Sequence, residues 1–310
     1  MKNNEVSAIV FDCETIPDVA LIKECFEIDG DKSDLEVTQE AFSIYKEKKG
    51  SEFLPLTYHK VVSIAAVALN QYGYFIKVGC FREDANKPNE EILLSKFLQF
   101  LDKKKPRLIS FNGRGFDLPM LMTRAMKYNL SCMAYFNKSN KWDNYTSRYS
   151  EDYHLDLMDS ISGFGAVRGL NLNELCKMSG IPGKYDMSGD DVFGLYYENK
   201  FDKIDEYCES DVINTYLLFL KYEILKGNLV LEEYKEILSD FKDKIPQNKG
   251  YSDIFYKFAT DELKGVWNKM LSNDIKLFSE YRYELRAYMC FLFNRNIKND
   301  EKFFYTYNRF

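Results

Sequence analysis

Apolar runs with a period of two alternate along this chain with stretches whose apolar positions recur every three to four residues. Strands interleaved with helices leave that pattern. Ala8-Ile9-Val10-Phe11 opens a first strand, which Pro17 and Asp18 bring to an end just beyond Glu14. Residues 20–50 mix Lys with Glu and predict a charged helical insertion covering one side of a sheet. The segment from Phe53 to Leu69 leads into a buried second strand, Tyr72-Gly73 turns the chain, and Tyr74–Phe81 forms a third. Neighbouring strands joined by a short glycine turn are antiparallel, so the first three strands make a meander.

Residues 89–104 carry apolar positions at 92, 93, 97, 98 and 101, one helix face, with Asn89 as its N-cap. Pro106–Phe111 is a fourth strand and runs into Asn112-Gly113-Arg114-Gly115-Phe116-Asp117, a glycine-rich turn that opens a helix. His154–Asp159 reads as a short fifth strand, Leu170–Met178 as a helix stopped by Gly180 and Pro182, and Gly183–Asp191 as a loop. A long helix spans Phe201–Leu225. Beyond it, residues 251–310 are dense in aromatics, with a helical stripe at Phe278, Tyr281, Leu285, Tyr288 and Leu292. The pattern divides the chain into an α/β domain over 1–228 and a helical C-terminal extension over 229–310, packed on that domain or on a second copy. The closing run Phe303–Phe310 reads as a docked C-terminus, with an interaction peptide as the other reading.

Composition narrows the setting. Hydrophobic residues at 45% and aromatics at 16% supply a core and exclude global disorder. The N-terminus carries no apolar run long enough for a signal peptide, and no stretch nears the ~18 apolar residues of a membrane span. Seven cysteines lie scattered with no C-x-x-C pair, the usage of a cytoplasmic protein with reduced thiols and neither a disulfide scaffold nor a zinc site. A net charge of −6 does not exclude nucleic acid, because bound cations can meet the phosphates of an acidic nuclease. Oligomeric state does not follow from the sequence.

The chemistry lies in four acids. Strand alternation projects Asp12 and Glu14 from one face while Cys13 points away, and paired carboxylates call for a shared proton or a cation. Asp117 falls at a helix start, and Tyr207 and Asp211, four apart on the long helix, share a face. Four carboxylates from a strand, a helix start and a later helix suit two hard divalent cations, Mg²⁺ or Mn²⁺. Such a pair activates water and stabilises a leaving oxygen, which is what a phosphodiester requires. Between Arg124 and Tyr149 five cations face one acid, interleaved with Tyr128, Tyr135, Phe136, Trp142, Tyr145 and Tyr149. Cations for the backbone and rings for the bases make Trp142, Tyr145 and Arg148 candidate contacts to a single strand. A folded flap whose rings pack on the core is the other reading. Neither histidine, His59 or His154, fits a catalytic slot.

Three motifs carry a family resemblance: Phe11-Asp12-Cys13-Glu14-Thr15, Asn112 through Leu121 (N-x3-F-D-x-P), and Tyr207-Cys208-Glu209-Ser210-Asp211 (Y-C-x-x-D). In this order, over about residues 6–225, the chain resembles a DEDD-type 3′→5′ exonuclease of the ribonuclease-H-like superfamily, similar to the exonuclease domain of family B DNA polymerases. The tyrosine subclass (DEDDy) applies, since Glu206 stands where the other subclass would carry histidine. The resemblance implies a ribonuclease-H-like mixed sheet of five or six strands flanked by helices. It also implies roles. Asp12 would bridge both metals, Glu14 and Asp211 would complete the nucleophile-side ion, and Asp117 would hold the other, partly through water. Tyr207 would orient the attacking water, Asn112 and Phe116 would touch the terminal nucleotide, and Lys184 would lie near the scissile phosphate. Asp156 would support a metal ligand from behind.

The expected function is a free-standing, metal-dependent exonuclease that hydrolyses single-stranded DNA from its 3′ end and releases nucleoside 5′-monophosphates. RNA as substrate, and a weakly catalytic nucleic-acid-binding or partner-docking module, are the alternatives.

Overall fold

The computed structural model describes residues 5–82, 87–140, 142–184, 189 and 191–265. Among them five strands form one mixed sheet, β1 (Ala8–Pro17), β2 (His59–Leu69), β3 (Phe75–Cys80), β4 (Arg107–Ser110) and β5 (His154–Asp156), in the order β3-β2-β1-β4-β5. β1–β2 and β2–β3 pair antiparallel, as the meander requires, whereas β1–β4 and β4–β5 are parallel. The result is a mixed five-stranded sheet flanked by helices.

Two features of the sheet shape the site. β1 ends at Pro17, as expected, and past its acids it stays paired with β2 after a register shift following Glu14, with Thr15, Ile16 and Pro17 opposite Val61, Lys60 and His59. On its other side β1 pairs with β4 only through Ala8, Val10 and the residue between them. From Phe11 onward that edge of the central strand lies past the end of its parallel neighbour. The fifth strand is also shorter than expected. Asp156 ends it and caps the next helix, accepting bonds from the amides of Met158 and Asp159.

Helices cover both faces. α3 (Glu90–Lys104) and α4 (Asp117–Lys127) bury Leu93, Leu94, Phe97, Leu118 and Leu121 against Ile9, Phe11 and Cys13, the odd-numbered side of β1. Asn89 caps α3 through the amide of Ile92, as expected. On the even-numbered side lies α9 (Phe201–Leu225), packed along β1 and β2. The charged insertion forms α1 (Val19–Phe26) and α2 (Asp34–Lys49), the latter started by a Ser33/Glu36 capping box. Instead of spreading over the sheet, these helices close a small core of their own around Ile22, Val37, Ala41 and Leu54. Shorter helices complete the set: α5 (Met133–Phe136), α6 (Leu157–Ile161), α7 (Leu172–Met178) and α8 (Asp191–Tyr197).

After α9 comes α10 (Leu231–Lys244), whose Phe241 meets Phe75 of β3 edge-on at 5.3 Å. Tyr251 donates to Glu209 of α9 at 2.7 Å, and residues 252–260 are helical. Contacts divide the chain into a unit ending at Thr260 and a second, Asp261–Phe310. The described residues of the second unit, 261–265, are helical, and the aromatic stripe and closing run lie outside the described residues. No helix among the described residues is long and apolar enough to cross a membrane.

One buried ion-pair network ties these parts together. Arg124 of α4 grips both oxygens of Glu90, at 2.8 and 2.6 Å, and reaches Asp18 at 2.8 Å. Glu90 also accepts from the backbone amide of Val61 and from Tyr128. Burial alone would push the Asp18 carboxyl up, but the Arg124 guanidinium and Lys127 hold it below the ordinary carboxylate range. The network fixes the start of α3 and the residue after β1 to the helix that begins with Asp117. Replacing the guanidinium (Arg124→Met) leaves buried Glu90 without a cation and Asp18 with Lys127 alone, and the expected loss is about 3–5 kcal/mol of unfolding free energy in urea titrations. A loss below about 1 kcal/mol, the range of exposed pairs, would show that the network contributes little.

Candidate active site

The sheet opening beside β1 is where the acids gather. Asp12 and Glu14 project toward α9, and one oxygen of each lies within 4.8 Å of the Cys208 sulfur. Cys208 donates to the Asp12 carbonyl at 3.5 Å, which draws this turn of α9 against the strand. One residue earlier Tyr207 and three later Asp211 face the same space, and both are buried. Asp117 reaches it from the other side. Its helix packs on the odd-numbered face of β1, so Cys13, which alternation turns away from Asp12 and Glu14, donates its thiol to Asp117 at 2.8 Å. Only because β4 has already ended can α4 bring a carboxylate around that edge.

Electrostatics follow from crowding. Burial raises the Asp12 carboxyl well above its ordinary pKa, and Asp117, Glu14 and Asp211 raise it further. Glu14 is raised in the same way, by burial first and then by Asp211 and Asp117. Burial carries Asp117 to about 6 despite the bond from Cys13, and Asp211 to about 6 despite Lys184 and Tyr207. Each acid is held near the others at a cost that one lysine does not offset. Asp211 Oδ1 is buried and has no hydrogen-bond partner among the described residues. The Asp12 and Glu14 oxygens beside Cys208, together with the orphaned Asp211 oxygen, fit a divalent cation.

Lys184 and Tyr207 are held as a pair. The ammonium donates to the Tyr207 hydroxyl at 2.9 Å, and that hydroxyl also faces Asp211. Burial, then Asp211, Glu14 and Asp12, push the phenol far above its ordinary pKa, so it stays protonated. Two asparagines set the lysine. Asn214 of α9 brackets Gly183, accepting from its N–H at 3.0 Å and donating to its carbonyl at 2.8 Å, and Asn173 accepts from the Lys184 amide at 2.9 Å. Gly183 is at φ +75°, and a Cβ there would sit 2.5 Å from Asn173 Oδ1, so any other residue would be strained and would displace that amide.

The loop before Asp117 is equally constrained. Asp156 accepts from the backbone amides of Asn112 and Arg114 at 2.9 and 2.8 Å. Its role is therefore to pin the turn that delivers Asp117. A Cβ on Gly113 would sit 2.5 Å from Ser110 Oγ, which explains the glycine. Asn112 is left-handed at φ 66° and lays its amide where a Cβ on Gly115 would be. Phe116 meets His59 edge-on at 5.1 Å, and His59 in turn lies 5.1 Å from Phe53, whose ring is exposed. His154 is buried beside Ser110 Oγ at 2.8 Å, and burial lowers its pKa well below the ordinary value, so it is a neutral core residue.

The basic aromatic segment divides. Tyr145 is buried at 2% exposure, with its hydroxyl donating to the Pro106 carbonyl at 2.7 Å, and belongs to the core. Arg148 is engaged by Asp159 at 3.0 Å and by the Phe164 carbonyl. Trp142 remains exposed. A local excess of cations and rings could not separate these fates, because Tyr145 reads the same whether its ring turns inward or outward. Asn173 and Asn214 were missed. Asn214 lies three residues after Asp211 and seven after Tyr207, on their face of α9, and an amide in an otherwise apolar run was the available signal.

The chain also matches known proteins. The family described as "Predicted 3'-5' exonuclease related to the exonuclease domain of PolB" matches residues 51–261, a span that holds Asp117, Tyr207 and Asp211 and begins after Asp12 and Glu14. The catalytic subunit of DNA polymerase epsilon from Emericella nidulans is 28% identical over 144 residues, 44% of this chain and 6% of that protein. Its counterpart from Kluyveromyces lactis is 29% identical over 145 residues, with the same shares. This chain thus spans a small fraction of the length of these relatives. The family B DNA polymerase of Pyrobaculum calidifontis superimposes with a TM-score of 0.44 at 15% identity, over 82% of this chain and 27% of that one.

Crowded acids make cation binding depend on pH. Asp117 and Asp211, raised to about 6 in the folded chain, favour folding below the unfolded carboxylate range, and that contribution is lost as pH rises through about 6. A cation competes with those protons and restores the loss. The melting temperature in Mn²⁺ should therefore exceed that in EDTA only slightly at pH 5, with the gap opening through pH 6 to several degrees at pH 7.5. A gap that is absent at pH 7.5, or constant with pH, would contradict this electrostatic picture.

Proposed function

The chain belongs to the predicted 3′-5′ exonucleases related to the exonuclease domain of PolB, and from that premise we propose that it removes nucleotides one at a time from the 3′ end of single-stranded DNA. The observation that carries the reading is the convergence of Asp12, Glu14, Asp117 and Asp211, from three elements, on one buried opening beside Tyr207. DNA is preferred as substrate because the similar proteins are catalytic subunits of a DNA polymerase.

In this reading the four carboxylates hold two divalent cations, Mg²⁺ or Mn²⁺, which supply Lewis acidity toward the phosphoryl oxygens and a water of lowered pKa. The remaining work falls to the chain's own groups. Tyr207, whose hydroxyl accepts from Lys184 and faces Asp211, orients the attacking water. Lys184, anchored on that hydroxyl, offers a positive charge to the phosphate as negative charge builds on its oxygens. Water adds to phosphorus, the bond to the 3′ oxygen of the preceding nucleotide breaks, and that oxygen leaves with a proton. The product is a nucleoside 5′-monophosphate. Phe116, backed by His59, presents an aromatic edge beside Asp117 where the terminal base would lie.

Incubation of 5′-labelled single-stranded DNA with Mg²⁺ or Mn²⁺ should give a ladder that shortens from the 3′ end. Asp12→Ala should slow it at least about 10³-fold, and Tyr207→Phe about 10²-fold while Mn²⁺ still raises the melting temperature. Binding without shortening would favour a nucleic-acid-binding module, and shortening of labelled RNA in preference to DNA would reassign the substrate.

A further inference from the structure

Asp12 and Glu14 belong to a row of side chains that alternation continues to Ile16, about 7 Å further along β1 at the usual rise per residue. There the row enters a cavity of about 350 Å³, lined by Ile16 and Pro17 at the strand's end, by Lys60 and Lys87, and by Tyr196 and Tyr197 of α8. Lys60 is the cross-strand partner of Ile16, so the two stand side by side. Ile16 and Tyr196 share a hydrophobic cluster with Tyr207, which makes the cavity wall continuous with the candidate active site.

The charges of this cavity are unequal in their commitments. Asp18 is taken by Arg124 and Lys127, and Asp34 accepts from the Tyr197 hydroxyl at 2.8 Å. Lys23 spends its ammonium on the carbonyls of Gly30 and Lys32. Lys60 and Lys87, by contrast, converge on a single ring, 6.0 and 5.1 Å from the centre of Tyr196, and neither pairs with a carboxylate among the described residues. Two ammonium groups gathered over one tyrosine in a chain of net charge −6 form a site for an anion. The volume lies within the range of small-ligand pockets. Tyr197, half-exposed and fixed through Asp34, adds a second ring at the mouth.

We propose that this cavity is a second nucleotide subsite, in which Lys60 and Lys87, held over the buried Tyr196 ring, grip a backbone phosphate of the single strand and the exposed ring of Tyr197 faces the attached nucleoside. The subsite rests on the exonuclease reading above and deepens it. It tells which direction the strand takes from the acids, along the even-numbered face of β1 toward α8, and it fits phosphate plus ring stacking without reading sequence.

The test compares the full chain with Lys60→Ala/Lys87→Ala and Lys60→Arg/Lys87→Arg on the oligodeoxynucleotide dT8, across a series of KCl concentrations with Mn²⁺ present. The alanine pair should raise KM about tenfold with kcat within about twofold, and flatten the slope of log kcat/KM against log salt by about 0.7, the value for one phosphate contact removed from a single strand. The arginine pair should restore both, which a merely structural role for the lysine stems would not require. A folded alanine pair with the KM and salt slope of the parent chain would overturn the subsite while leaving the exonuclease reading in place. A parent chain that neither binds nor shortens dT8 would remove both.

Discussion

Like-charge repulsion among buried carboxylates is the constraint around which this structure is organised. Burial opposes ionisation of Asp12, Glu14, Asp117 and Asp211, neighbouring acids add to it at Asp12 and Glu14, and Asp211 keeps an oxygen with no partner among the described residues. A fold that brings such groups together must hold them rigidly, because each would otherwise relax toward water. The surrounding polar contacts serve that end. Arg124 locks α4 and the end of β1 together, Asp156 fixes the turn ahead of Asp117, and Cys13 and Cys208 tether the acidic segments from opposite faces.

Geometry makes the gathering possible. A central strand ordinarily has both edges paired, and the acids would then be confined to one face. Here β4 covers only the first part of β1, so α4 and α9, on opposite sides of the sheet, both deliver side chains to the same gap. The family to which the chain belongs is described as predicted 3′-5′ exonucleases related to the exonuclease domain of PolB, and the gap is where the proposed hydrolysis takes place. The proposed path of the strand follows from the same alternation that pairs Asp12 with Glu14, since Ile16 and Lys60 continue the row.

Much of this was legible in the order of residues alone. Alternation put Asp12 and Glu14 on one face, the glycine turn gave the meander, and helical spacing set Tyr207 beside Asp211, all local relations within one element. What escaped was relational. That β4 covers only the first part of β1 is set by pairing between strands distant in sequence, which no propensity reports. Tyr145 read as a surface ring because its composition is that of a binding flap, but its hydroxyl found the Pro106 carbonyl and the ring was free to bury. The insertion over residues 20–50 holds enough apolar residues for its own small core, which a count of charges concealed. Asn173 and Asn214 act through Gly183, a contact between three segments distant in sequence.

The central claim is that the four carboxylates seat two divalent ions, and anomalous diffraction tests it most directly. Crystals of the chain soaked in Mn²⁺ and measured at the manganese edge should show two peaks roughly 3.5–4 Å apart, enclosed by Asp12, Glu14, Asp117 and Asp211. Peaks elsewhere on the molecule, or none in this opening at millimolar Mn²⁺ and pH 7.5, would contradict the account.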